Sequence, residues 1–166
     1  MSRYGYTKVA TGTFDVAIGN PNKNADAMIS LMEQATKEKI ELLVFPELSI
    51  TGYTCGDLFL HQKLSDAAMR ALERIKEASK SSETLVVVGM PLRVDARLFN
   101  CAVYVGKGKI LAAVPKMYLP NYNEFYEKRW FSQASNAISK YVTICNDEVP
   151  FGTNIIVAQL RVPEYT

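Results

Sequence analysis

Two charged residues of this 166-residue chain stand in the same kind of place. Glu47 follows Phe45-Pro46 at the end of the apolar run Leu42–Phe45, and Lys116 follows Val114-Pro115 at the end of the run Lys109–Val114. A proline lacks the N–H that strand pairing needs, so each charged residue falls just past the carboxyl end of its strand. Open α/β sheets hold their ligands at that edge. If the two strands share a sheet, carboxylate and ammonium meet at one rim, where charges drawn out of water must satisfy each other. The plain alternatives are a solvated loop glutamate or a structural ion pair. As a site, Glu47 takes up a proton and Lys116 stabilises a developing oxyanion. A nucleophile must come from elsewhere.

The candidates are few. His61 is the one histidine, which excludes a multi-histidine zinc site. Cys55, Cys101 and Cys145 are an odd number at unrelated spacings, which suits free thiols in a reducing cytoplasm better than a disulfide framework. A nucleophilic thiol must be drawn toward thiolate from a free pKa of about 8.5, and none of the three has a fixed basic neighbour in sequence. Cys101 lies mid-strand beside Asn100, Cys55 lies in the loop after Glu47, and Ile144-Cys145-Asn146-Asp147 precedes a further strand. The net charge of +2 argues against a nucleic-acid or anionic-membrane partner, each of which needs a concentrated basic face. The longest apolar runs fall far below the ~20 residues of a membrane span.

The elements that must position the pair follow from periodicity. Lys8–Ile18 alternates loosely as a first strand, and Pro21 or Asn22 opens a helix ending near Lys39, with Met28 and Met32 as core filler. Leu42–Phe45 is a strand buried on both faces. Gly52–His61 is loop, a second amphipathic helix runs from about Lys63 to Ser79, and Thr84–Met90 is a valine-rich strand. The order β-α-β-α-β predicts parallel pairing with right-handed crossovers. Phe99–Val105 and Lys109–Val114 then form a hairpin about Gly106-Lys107-Gly108. An aromatic-rich segment leads into a short helix over Tyr122–Trp130. Tyr141–Cys145 and Asn154–Ala158 are further strands, with Asn146-Asp147 as the turn between them.

Phe45-Pro46-Glu47-Leu48-Ser49-Ile50-Thr51-Gly52-Tyr53, followed by Pro115-Lys116-Met117-Tyr118-Leu119-Pro120, resembles the nitrilase (carbon–nitrogen hydrolase) superfamily. Its members use a glutamate, a lysine and a cysteine in that order along the chain. Cys55–Phe59, Asn121–Arg129 and Val149–Asn154 are similar to the amino-terminal glutaminase domains of glutamine-dependent NAD+ synthetases, and the resemblance runs from about Lys8 to Val157. It implies an α/β fold: part of an α-β-β-α sandwich with a mixed sheet and helices on its outer face. It also implies that Glu47 is the general base and Lys116 the stabiliser of the tetrahedral intermediate. Glu124 matches a second, supporting glutamate, and Tyr53, Tyr122 and Glu127 match positions that hold glutamine.

The resemblance places the cysteine in a Cys-Glu-Asp-like motif beyond the strand that begins at Val149, and the sequence reaches Thr166 first. Residues 1–166 are therefore expected to be a partial glutaminase domain, inactive alone, belonging to a longer cytoplasmic polypeptide that assembles as a homo-oligomer. The implied activity is glutamine amide hydrolysis, supplying ammonia for ATP-dependent NAD+ synthesis from deamido-NAD+. No cofactor is implied for this domain; ATP and Mg are implied for the synthetase domain. The implied partners are glutamine and the rest of the same polypeptide, with no nucleic acid and no membrane. Another nitrilase-type amidase or carbamoylase, and a non-catalytic assembly fragment, are the alternatives.

Overall fold

In the computed structural model, which describes residues 6–158, β1 (Val9–Thr11), β2 (Leu42–Val44), β3 (Leu85–Val94), β4 (Arg97–Gly106) and β5 (Lys109–Pro115) form one mixed sheet. The strands lie in chain order, the first two pairings parallel and the last two antiparallel. The parallel pairings need crossovers, which α1 (Pro21–Lys37) and α2 (Gln62–Ala78) supply. Pro21 occupies the first turn of α1, where its missing N–H costs nothing, and the Asn20 side chain caps the helix by accepting from Lys23 N–H.

Both helices pack on one sheet face. Met28, Met32, Ala35, Ala68, Ala71, Leu72 and Ile75 meet Val86, Val88, Met90 and Leu92 in a single core. Alternation along β3 turns Val87 and Gly89 to the other face. There they line an open trough of about 430 Å³ with Val44, Asn100, Ala102 and Val114, and Glu47 and Lys116 stand at its edge. No helix among the described residues is long and apolar enough to cross a membrane.

The strands outrun the sequence-based bounds because their turns hide from composition. β3 and β4 continue to a two-residue turn at Asp95-Ala96, with φ of 51° and 59°, which contains no glycine. The β4–β5 turn, Lys107-Gly108, is the expected one. The expected turn at Asn146-Asp147 is corrected: β6 (Tyr141–Ile144) reverses at Cys145-Asn146, both at positive φ, and β7 returns at once as Asp147–Pro150. Asp147 is then anchored by Ile110 N–H at 2.8 Å and Lys76 at 3.0 Å. The expected strand at Asn154–Ala158 does not form; past Phe151, which bridges Ala113 in parallel, the chain leaves the sheet. The expected helix over Tyr122–Trp130 is likewise a loop with one 3-10 turn at Glu127–Arg129. Asn123 at φ 51° and Tyr126 at φ −132° interrupt any helical run. Gly52–His61 also contains a 3-10 turn, Gly56–Leu60.

Candidate active site

The two proline stops set the rim. Phe45 N–H still donates to Val87 in β3, after which Pro46 ends the pairing and Glu47 leaves the sheet. Leu48 follows at φ 51°, in the left-handed region that costs a branched side chain energy, and its complete burial holds it there. Across the sheet, Lys116 N–H donates to Asn100 O at 2.7 Å and Lys116 O accepts from Ala134 N–H at 3.0 Å. The lysine backbone is thus pinned on both sides.

Between these anchors the side chains meet. Lys116 Nζ lies 2.6 Å from Glu47 Oε1 and 2.9 Å from each carboxylate oxygen of Glu127. Tyr53 donates its hydroxyl to Glu127 Oε1 at 2.8 Å. Glu127 is 2% exposed. A carboxylate this deep needs its charge answered, and three hydrogen bonds from one cation and one phenol answer it. Glu127 reaches its place because the loop after β5 folds onto the loop after β2. Leu48, Cys55, Phe59, Leu98, Leu119 and Phe131 make a second, smaller core beneath the rim.

Burial opposes the charge on Lys116, but the hydrogen bonds and charges of Glu47 and Glu127 outweigh it and raise the pKa above the ordinary lysine value. Lys116 is therefore a permanent cation, suited to stabilising negative charge rather than accepting protons. Burial, then the hydrogen bond to Glu127, then the charges of Glu127, Glu47 and Glu124 push the Tyr53 phenol far up, so it stays a neutral donor. Three carboxylates against one ammonium leave the pocket net negative, which favours a cationic group on a ligand.

Of the residues singled out in the sequence, Glu47, Lys116, Glu127 and Tyr53 thus form one bonded cluster. Tyr122 is exposed and reaches Tyr53 only through Phe125, with ring centroids 5.9 Å and 6.4 Å apart. Glu124 is exposed on the same loop. A further member of the cluster, Asn100, donates its Nδ2 to Glu47 Oε1 at 2.5 Å. Its signal in the sequence is a lone amide inside Leu98-Phe99-Asn100-Cys101-Ala102-Val103, since a buried polar group needs a partner.

Comparison with known proteins gives this cluster a family. The carbon-nitrogen hydrolase family matches residues 8–162. The chain belongs to the carbon–nitrogen hydrolase family. It is 34% identical over 163 residues to the glutamine-dependent NAD(+) synthetase of Mycobacterium tuberculosis, which covers 98% of this chain and 24% of that protein. The crystal structure of a glutamine-dependent NAD(+) synthetase from Cytophaga hutchinsonii superposes with a TM-score of 0.81 at 26% identity, covering 92% of this chain and 26% of that one. An amidase from Nesterenkonia sp. shares the fold at 18% identity and a TM-score of 0.65, over 87% of this chain and 54% of the amidase. This chain spans about a quarter of the length of the synthetases it matches.

The thiols of this chain lie away from the cluster or are muted. Cys55 is buried, its Sγ 3.1 Å from Thr51 O, and burial raises its pKa. Cys101 is buried in β4, and burial pushes it far up. Cys145 lies at the β6–β7 turn against α2, its Sγ 3.7 Å from Met69 Sδ. Burial first, then the Glu73 carboxylate, pushes its pKa up to about 12. The next residue but one, Asp147, binds Ile110 at the start of β5, whereas Lys116 follows the end of β5. At ~3.3 Å per residue the two ends of that strand are roughly 20 Å apart.

The two stretches that pointed to the synthetase branch also touch. Asp57 accepts a forked pair of bonds from Arg129, at 2.7 and 2.8 Å, and a third from Trp130 Nε1 at 2.9 Å. The Arg129 guanidinium and Trp130 indole hold the Asp57 carboxyl well below the usual carboxylate range. Trp130 is the single tryptophan, so this latch reports itself. Asp57→Ala is expected to change the Trp130 emission maximum with little change in the thermal melt, because the pair is exposed. In the unsubstituted chain the same emission change should appear only on acidification below the ordinary aspartate range.

Proposed function

We propose that this chain carries the glutamine-handling half of a glutaminase site whose thiol lies in polypeptide beyond Thr166. Ammonia released there would feed ATP-dependent synthesis of NAD+ from deamido-NAD+. The observation that carries this reading is Lys116 Nζ, held between Glu47 and buried Glu127 at 2.6–2.9 Å. That arrangement supports a cation able to balance a developing oxyanion, beside a carboxylate able to move a proton. The names and shared length of the synthetase relatives support the substrate class.

The chemistry would run as follows. Glu47 takes the thiol proton as sulfur attacks the side-chain amide carbon, and Lys116 balances the oxyanion. The intermediate collapses with the C–N bond breaking, and Glu47 returns the proton to nitrogen, so ammonia leaves. Water then attacks the thioester, losing its proton to Glu47, and the C–S bond breaks to give glutamate as Glu47 returns that proton to the departing sulfur. Glu127 keeps Lys116 charged and aimed. The net negative pocket, with Glu124 on the outer loop, favours the substrate's α-ammonium group. Tyr53 and Tyr122 wall that side with aromatic faces and hydroxyls.

No group of three His, Cys, Asp or Glu able to hold a metal occurs among the described residues. The ATP and Mg of the ligase step belong, in this reading, to the other part of the polypeptide. A cytoplasmic site and a homo-oligomeric assembly are further parts of the proposal.

Residues 1–166 alone are expected to release no ammonia from glutamine. The polypeptide extended past Thr166 should release it, should lose nearly all turnover on Glu47→Gln, and should keep it on Cys145→Ala. Ammonia release by 1–166, or its loss on Cys145→Ala, would place the nucleophile inside this chain.

A further inference from the structure

Asn100 sits in the middle of β4, 4% exposed, in a run of otherwise apolar side chains. An amide placed there costs stability unless it is bonded. Its Nδ2 donates to Glu47 Oε1 at 2.5 Å, and its backbone carbonyl accepts from Lys116 N–H at 2.7 Å. One residue therefore grips both charged members of the rim, one through its side chain and the other through its main chain. Glu47 Oε1 also takes the Lys116 ammonium, so it carries two strong donors. Among the described residues no donor is bonded to Glu47 Oε2.

We infer that Asn100 is a positioning residue, turning the Glu47 carboxylate so that Oε1 is occupied and Oε2 is the oxygen at which protons move. A carboxylate has about four lone-pair positions over its two oxygens, and donors on one oxygen lower its readiness to accept a proton. Without Asn100, Lys116 alone restrains Glu47, and the carboxylate can rotate to offer both oxygens to the ammonium. The proton would then sit between the cation and the anion rather than facing the substrate. In the proton steps above, sulfur gives its proton to Oε2, and Oε2 gives it to the departing nitrogen.

This inference rests on the glutaminase reading, and two measurements separate their fates. In residues 1–166, NMR should show one Asn100 side-chain amide proton shifted downfield and protected from solvent exchange. Glu47→Ala, which leaves Asn100 untouched, should abolish both signs; their persistence would overturn the inference whatever the reaction is. In the extended polypeptide, Asn100→Leu should lower kcat by about 10- to 100-fold with KM nearly unchanged, as expected for a misaimed group rather than lost binding. Asn100→Asp should displace the acid limb of the pH–rate profile to higher pH, because a second carboxylate raises the proton affinity of the first. An unchanged kcat in Asn100→Leu, or an unmoved acid limb in Asn100→Asp, would overturn it. If the unsubstituted polypeptide hydrolyses no glutamine, the glutaminase reading falls while the NMR result still decides the role of Asn100.

Discussion

Lys116→Met is expected to destabilise the fold by about 3 kcal/mol, read as a lowered midpoint of urea unfolding with an unchanged slope. Removing one partner of a buried pair leaves the other charge uncompensated, at a cost of roughly 3–5 kcal/mol. The lower figure applies because Lys116 keeps 28% exposure and Glu47 42%. The cost falls mainly on Glu127, at 2% exposure, which would keep a single donor, Tyr53. A second substitution, Glu127→Gln, should therefore recover part of the loss, a coupling that a double-mutant cycle measures. The pH dependence has a defined sign. The Lys116 pKa is raised in the folded chain, so its contribution is complete below the ordinary lysine value of about 10.4 and is lost as pH climbs through the higher folded value. Tyr53, also raised, acts in the same direction. Alkaline unfolding of the unsubstituted chain should consequently be steeper than that of Lys116→Met.

Gly89→Ala is expected to be the most damaging single-methyl change. A Cβ at this position would stand 2.4 Å from Pro46 O, 2.5 Å from Leu48 N and 2.9 Å from the Glu47 carbonyl carbon. All three are backbone atoms, so no side chain can swing aside. Overpacking of this kind costs about 1–3 kcal/mol and more where backbone must move. Here the backbone that moves carries Glu47, and Ile50 N–H would lose its bond to Gly89 O. Gly152→Ala, with nothing within 4 Å, is the matched control and should melt within about 0.5 kcal/mol of the parent. Equal melts for the two variants would contradict the close approach.

The parts of this structure legible in the sequence are those with strong periodicity or a chemical stop. α1 and α2 carry apolar residues on one face at helical spacing, and Pro21, Pro46 and Pro115 mark their elements because proline has one backbone role to refuse. The rim pair followed from the two proline stops. What stayed hidden depends on partners distant in the chain. Asp95-Ala96 and Cys145-Asn146 hold positive φ without glycine because paired strands on either side impose it. The aromatic segment after Lys116 looked helical from its spacing, yet its shape comes from docking Leu119 and Phe131 onto Phe59 and Leu48. Asn100 is hidden for a related reason, since the meaning of an amide in a strand lies in what faces it.

The order of the strands in the sheet has a consequence in time. Because it repeats the order along the chain, each strand can add to an edge already formed, with no threading and few long waits for loop closure. The rim does not share that ease. Glu47 belongs to the loop after the second strand and Glu127 to the loop after the fifth, so the bonds of Lys116 to both carboxylates close only once four pairings are complete. During synthesis Glu47 emerges about 70 residues before its final partner, Lys116, several seconds at ~5–20 residues per second. The charged rim is thus a late event of folding, and a chain released before Glu127 would carry a sheet without its site.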